Sequence, residues 1–352
     1  QPRAINPVRT DKKGLYVNAR QRTDDALVTV IVPTYNHERF LEQAVESVVS
    51  QETRFAFRIL ILDDASTDGT PALAERLRQR WPDIIDLELQ GENRLSKGES
   101  PSVSALSNIK TRYAAWCEGD DYWTRTLKLP KQVEAMEANP RCTISHHAVD
   151  VACEADGDHA FAETVRRWER DGRNRQELVK GTEIATGNFI MTCSVMIRIG
   201  AIRPKALRAV FDVRPVDWIL WSLALEDGDI CFIPEYLSTY RIHGRNMWAG
   251  QETASQQDAV DRAGWFVATY AEGPMREKAR EEAVGRWLDN NLGIPSVDAL
   301  RFQIAQLEAR LDVAEAERDE CSEQAAEASR QAAQALDEAS RQAAQALDEA
   351  SR

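Results

Sequence analysis

The sequence predicts an α/β protein, a doubly wound mixed sheet of Rossmann type followed by an α-helical C-terminal extension. Three observations predict it. Apolar strand-like runs alternate with amphipathic helix-like stretches through the N-terminal half, a pattern that implies strands in series joined by right-handed crossovers. A later apolar run ends in a cluster of carboxylates. The C-terminus abandons this alternation for an 11-residue repeat.

Residues 27–32, Leu-Val-Thr-Val-Ile-Val, are continuous and β-branched, as a parallel strand covered on both faces requires. Pro33-Thr34-Tyr35-Asn36 interrupts the run. Phe40, Leu41, Ala44, Val45, Val48 and Val49 then fall on one face of a helix. Residues 57–62 repeat the plan. The polar turn Asp63-Asp64-Ala65-Ser66-Thr67-Asp68-Gly69 follows, and Thr70-Pro71 opens a helix as cap and first-turn proline. The third strand, Tyr113-Ala114-Ala115-Trp116-Cys117, runs straight into Glu118-Gly119-Asp120-Asp121. Ligands of open α/β sheets bind outside the carboxyl ends of the strands, so Tyr35, Asp64 and Asp120 are expected to converge. Clustered carboxylates there suit a hard divalent cation, which takes oxygen ligands and bridges to a substrate's phosphates. A solvated acidic loop requires no such convergence.

Val30-Ile31-Val32-Pro33-Thr34-Tyr35-Asn36, then Leu62-Asp63-Asp64-Ala65-Ser66-Thr67-Asp68-Gly69-Thr70, then Glu118-Gly119-Asp120-Asp121 together resemble the family 2 glycosyltransferases of the GT-A fold. The resemblance spans roughly residues 28–244. It implies that Pro33 and Tyr35 line the nucleotide base and that Asp64 reads it, with uracil, thymine and guanine all able to offer a ring N–H. It places Asn93 and Lys97 near the donor's ribose, phosphates or sugar. It makes Asp121 the direct ligand of Mn²⁺ or Mg²⁺, with Asp120 at the metal or the donor sugar. Glu118 stands where the family often has Asp; it can still coordinate a divalent ion, although its longer arm departs from the family's pattern.

Val216-Asp217-Trp218-Ile219 resembles the family's later acidic motif, which implies that Asp217 is the base for the acceptor hydroxyl. Asp217 equally suits a helix N-cap, and the two roles are compatible. By the same resemblance Asn188, Thr192 and Trp218 wall the acceptor side. Tyr240-Arg241-Ile242-His243-Gly244 closes over the diphosphate, where His243 completes the metal shell or binds a phosphate oxygen. His146-His147 reads as structural, because neighbours on a strand point to opposite faces.

The chain of 352 residues has a net charge of −13. That balance excludes generic nucleic-acid binding, which needs a basic surface, and disfavours simple adhesion to anionic lipid. The local run Arg166, Arg167, Arg170, Arg173 and Arg175 still permits peripheral approach to a membrane-bound acceptor. Six cysteines without close spacing predict neither a zinc site nor a disulfide framework, and a reducing cytoplasm is the simplest location.

The expected organisation is an N-terminal arm over 1–26, the GT-A domain over 27–250, a helical connector over 251–295 and a coiled-coil stalk over 296–352. Leu300, Ile304, Leu307, Leu311 and Ala314 follow heptad spacing. Residues 331–341 then recur unchanged as 342–352, a period that predicts a straight or slightly right-handed coil and a homo-oligomer held through the stalk. The function expected is transfer of a sugar from a UDP, dTDP or GDP donor to a hydroxyl of a glycan or lipid-linked saccharide, with inversion, in surface polysaccharide synthesis. Two rivals rank below it. A nucleotidyltransferase would carry a Gly-rich basic loop where Pro33-Thr34-Tyr35-Asn36-His37-Glu38 stands. A coiled-coil scaffold on a degenerate transferase domain would not need Asp64, Asp120, Asp121 and Asp217 intact.

Overall fold

A computed structural model describes residues 25–172, 177–210, 216–246 and 253–291. The arm over 1–24 and the stalk over 296–352 lie outside the described residues.

The chain begins as the alternation predicts. β1 (Val28–Thr34), α1 (Leu41–Val49), β2 (Phe57–Asp63), α2 (Thr70–Arg80), β3 (Ile85–Leu89), α3 (Pro101–Leu106) and β4 (Tyr113–Trp116) follow one another. These four strands are parallel, in the order β3-β2-β1-β4. The second half is mixed. It comprises β5 (Tyr122–Trp123), α4 (Lys128–Ala138), β6 (Cys142–Cys153), α5 (His159–Gly172), β7 (Leu178–Lys180), β8 (Met196–Arg198), α6 (Pro204–Ala209), α7 (Val216–Ala224) and β9 (Asp229–Ile242). The sheet continues from β4 through β8, β6 and β9 to β5, with β7 also on β9. β8 runs antiparallel to both β4 and β6, while β6 and β9 are parallel. α8 (Thr253–Tyr270) and α9 (Gly273–Asn291) close the described chain.

Both faces of the sheet are covered, as the unbroken apolar runs require. Val28, Val30 and Val32 pack with Leu41, Val45 and Val48 of α1 and with Leu73 and Leu77 of α2. Ile31 and Trp116 turn to the other face, where Trp218 and Trp221 of α7 and Val267 of α8 complete the core. β1 extends through Pro33, two residues beyond its pairing with β4 at Ile31. The chain leaving β4 instead gives Cys117 N–H to the Ile31 carbonyl at 3.1 Å and Gly119 N–H to the Pro33 carbonyl at 2.9 Å. Proline, which lacks a donor, thus stands where the regular ladder with β4 has ended.

Thr70 is the first helical residue of α2 rather than its cap. The Asp68 carboxylate accepts both the Thr70 N–H, at 2.9 Å, and the Thr70 hydroxyl. His146 and His147 are buried in β6, with His146 against Phe189 and Phe232.

Cys142 and Cys231 form a disulfide between neighbouring β6 and β9, which corrects the expectation that no cysteines pair. They lie 89 residues apart in sequence, so only the strand pairing brings them together. Disulfides are rare in a reducing cytosol, and the cysteines therefore give no support to a cytoplasmic location. No helix among the described residues is long and apolar enough to cross a membrane.

Candidate active site

The carboxyl ends of β1, β2 and β4 deliver three loops to one edge of the sheet. The first two are laced together. Asn36 and Ala65 both adopt left-handed backbone, with φ of 57° and 60°, a conformation that side-chain-bearing residues hold only where their surroundings impose it. Asn36 N–H donates to Ser66 Oγ at 2.8 Å, and its side-chain oxygen accepts Thr67 N–H at 2.7 Å. Asp63 closes the same turn by accepting the backbone N–H and hydroxyl of Ser66.

Asp64 is buried, and its two oxygens accept the backbone N–H groups of Arg94 and Leu95 at 2.8 and 3.0 Å. It therefore fastens the loop after β3 to the site edge. A carboxylate offers about four acceptor positions, so two backbone bonds leave capacity for a ligand. In that loop the Asn93 side-chain oxygen accepts Ser96 N–H at 2.7 Å, while exposed Lys97 pairs with Glu92 at 2.6 Å. Tyr35 stands at the edge with 40% of its surface exposed, beside half-buried Pro33.

The acidic cluster lies deeper. Gly119 crosses so close to β1 that a Cβ there would sit 2.7 Å from Thr34 Oγ1 and 2.9 Å from His37 Nδ1. Gly119→Ala is expected to destabilise the protein by about 1–3 kcal/mol through overpacking. Chemical denaturation reads this, and an unchanged midpoint would show that the loop yields without cost.

Beyond Gly119 the two aspartates diverge. Asp120 Oδ2 lies 3.1 Å from His243 Nε2, 3.6 Å from His37 Nε2 and 3.4 Å from Asn246 Nδ2. Asp121, which leads into β5, instead accepts Arg241 N–H through Oδ1 at 2.8 Å, and its Oδ2 is buried without a hydrogen-bond partner. The Asp121 N–H closes a turn onto the Glu118 carbonyl at 3.0 Å, and this turn sends the two carboxylates to different surroundings. Asp120, rather than Asp121, is therefore the aspartate that meets the imidazoles. Ligand atoms of His37, Asp120 and His243 all lie within 4.8 Å of one another, a donor set that fits a divalent cation.

The electrostatics separate these carboxylates further. Burial pushes Asp120 up, but His37 and the hydrogen bond and charge of His243 outweigh it and hold the group below its ordinary value. Burial and the charge of Asp120 raise Asp121 well above the usual range. Glu118 is raised strongly as well, by burial and then by Asp121, Asp120 and Asp217.

Asp217 enters from the first turn of α7. Its Oδ2 accepts Asn188 Nδ2 at 2.9 Å, and burial raises its pKa despite that bond and one from the Trp218 backbone. Asn188 thus positions Asp217. Thr192 is half-buried at the start of a short 3-10 turn. The Trp218 ring, expected on the acceptor side, is enclosed within the fold. It is buried in the core and donates Nε1–H to the Ile184 carbonyl at 2.8 Å, because the next residue along a helix turns about 100° away.

Three groups of this site were not legible as such in the sequence. His37 has no periodic or motif signal. Asn246 accepts the His243 N–H and donates to the Arg241 carbonyl at 3.0 Å, a turn for which a polar residue three positions after His243 is the only sign. Arg241 is buried, donating to the Asp120 carbonyl at 2.8 Å, Glu154 Oε1 at 2.6 Å and Gln43 Oε1 at 2.6 Å. It is the clamp that fixes the acidic loop against β9.

Comparison with known proteins agrees with this architecture. The family described as Glycosyl transferase family 2 matches residues 29–200. An uncharacterized protein of Mycobacterium tuberculosis is 29% identical over 272 residues, covering 76% of this chain and 75% of that protein. The putative glycosyltransferase EpsE of Bacillus subtilis is 31% identical over 207 residues, covering 57% of this chain and 67% of EpsE. Residues 1–349 of S. aureus TarS, crystallised with UDP-GlcNAc, superpose with a TM-score of 0.54 at 14% identity, over 74% of this chain and 72% of that one. Fold and matching family together define a glycosyltransferase with a GT-A-like catalytic domain. The chain belongs to glycosyl transferase family 2.

Proposed function

We propose that this glycosyltransferase is metal-dependent and inverting, and that it moves a sugar from a UDP, dTDP or GDP donor to a hydroxyl of a glycan or lipid-linked saccharide. The observation that supports this is the convergence of Asp120 with His37 and His243, whose ligand atoms lie within 4.8 Å of one another, at the sheet edge where Asp64 is also buried. The likeness to TarS, which was crystallised with UDP-GlcNAc, supports a nucleotide-sugar donor.

In this proposal Pro33, Tyr35 and Asp64 receive the base, with Asn93 and Lys97 on the loop that Asp64 anchors. Asp120 and His243 would hold Mn²⁺ or Mg²⁺, and such an ion would supply positive charge against the departing diphosphate. Asp217, oriented by Asn188, takes the proton of the acceptor hydroxyl. That oxygen bonds to the anomeric carbon from the face opposite the diphosphate, whose bond to the same carbon breaks. Buried Arg241 keeps Asp120 in place throughout.

The test is thermal-shift titration of the full chain with UDP, dTDP, GDP and CDP, each with and without Mn²⁺, on wild type and Asp120→Asn. A ligand specific to the folded state raises the melting temperature, by about 2.7 kcal/mol of stabilisation at a hundredfold excess over Kd. One nucleotide should stabilise the wild type only with metal, and Asp120→Asn should lose the effect. No shift in any combination would overturn the proposal.

A further inference from the structure

We propose that His37 is a third protein ligand, with Asp120 and His243, of a cation site built from two imidazoles and one carboxylate. This donor set selects a first-row transition ion over Mg²⁺. The inference deepens the metal-dependent transfer proposed above and rests on it.

Geometry comes first. Groups bound about 2.1 Å from one ion stand roughly 3–4 Å apart when adjacent in its shell. His243 Nε2 and His37 Nε2 lie 3.1 and 3.6 Å from Asp120 Oδ2, and all three ligand atoms fall within 4.8 Å. The groups therefore converge at the spacing one small cation needs, without a change of fold.

His37 also lacks any other occupation. Its side chain is only 17% exposed, its Nδ1 is buried without a hydrogen-bond partner, and its Nε2 stops short of hydrogen-bond distance from Asp120. His37 Nε2 is the ring nitrogen that faces Asp120, and it is the atom an ion shared with Asp120 would engage. A purely structural histidine would instead be expected to complete a hydrogen bond.

The site is held ready. The Phe40 ring packs 4.9 Å from the His243 ring, and Asn246 accepts the His243 backbone N–H. His37 caps the entry to α1, its carbonyl accepting the N–H of Phe40 and Leu41 at 2.9 Å each. Both imidazoles thus sit on anchored backbone; the Nδ1 of His243 accepts the Arg245 N–H at 3.2 Å, so ligation through Nε2 displaces the proton that now faces Asp120.

Chemistry then sets the ion. Imidazole nitrogen suits the later first-row ions, whereas Mg²⁺ prefers carboxylates, phosphates and retained water. Two nitrogens among three protein ligands disfavour Mg²⁺ and admit Mn²⁺, Co²⁺ or Zn²⁺. Three ligands also leave half of an octahedron for diphosphate oxygens and water.

The experiment uses the full chain stripped of metal, without nucleotide. Mn²⁺, Zn²⁺ and Mg²⁺ are titrated singly by calorimetry, and bound Mn²⁺ is examined by electron spin-echo spectroscopy, which detects directly bonded imidazole nitrogen. Wild type should bind Mn²⁺ at least about tenfold more tightly than Mg²⁺ and show two nitrogen couplings. His37→Ala should lose one coupling and about tenfold or more in Mn²⁺ affinity. Two couplings surviving in that variant, or a wild type that prefers Mg²⁺, would overturn the assignment. If His37→Ala does not fold by circular dichroism, His37→Gln supplies an oxygen of similar reach and should still remove one nitrogen. Two nitrogens on Mn²⁺ in a protein that binds no nucleotide would keep this site and reject the transfer chemistry. Metal-dependent nucleotide binding with His37 silent would do the reverse.

Discussion

Asp217→Asn is expected to lower kcat by about 10²–10⁴-fold while leaving metal-dependent nucleotide binding intact, since that is the range removed with a positioned general base. Asparagine preserves the size of the side chain and its place in the first turn of α7, and can still meet Asn188 after an amide rotation. What it lacks is the capacity to take a proton. The pH profile separates this role from a cap. Burial raises the Asp217 pKa above the ordinary 3.8, and a base works only when ionised. Activity should therefore be present above this raised value and lost as pH falls through it. The limb belonging to Asp217 must disappear from the residual activity of Asp217→Asn, whereas limbs from Glu118 or Asp121 would persist in both proteins. A kcat within about threefold of wild type would leave Asp217 as a helix cap alone.

How much of this was legible follows from the physics of each element. β1, β2 and β4 could be read because parallel strands buried on both faces must be continuously apolar, and their carboxyl-end loops then had to share an edge. β8 and the long pair β6 and β9 were harder. They join the sheet by antiparallel and irregular pairing, with register shifts around Ala148, and β9 itself carries exposed Pro234 and Glu235 at its middle. In the site, Asp120, His243 and Asp217 rode on motifs. The different surroundings of Asp120 and Asp121 depended on how the turn over residues 118–121 aims each carboxylate, which no motif states. Asp64 lay at the expected edge, but its backbone bonds to Arg94 and Leu95 needed the path of a loop with no periodicity. His37 and the Cys142–Cys231 pair share one cause of invisibility. Their partners are distant in sequence and meet only through the order of strands.

Lys128→Met is expected to change how stability depends on pH. Lys128 has no exposed surface, donates to Gln132 Oε1 at 2.6 Å and lies 4.1 Å from the Trp123 ring centroid. No carboxylate among the described residues pairs with it. It is also the first residue of α4, where the positive end of the helix dipole opposes a cation. Burial lowers its pKa from 10.5 to about 7. Between about pH 7 and pH 10 the unfolded chain keeps this proton and the folded chain does not, so this group makes stability rise with pH. The full swing is on the order of 4 kcal/mol, at 1.36 kcal/mol per unit. Below pH 7 the folded protein carries the entire penalty, and methionine carries none of it. Methionine does strand Gln132 Oε1, at a cost of about 1–3 kcal/mol. The sign of the difference should therefore invert. Lys128→Met should be the more stable protein near pH 6, by about 2 kcal/mol, and the less stable one near pH 10, where neutral lysine satisfies Gln132 without charge. Urea unfolding of both proteins across that range reads it, because titrating groups remote from Lys128 cancel in the difference and only its neighbours His147, Cys117 and Cys193 respond to its charge. Parallel curves would mean that the Lys128 ammonium stays solvated in the fold, and the buried cation beside Trp123 would have to be abandoned.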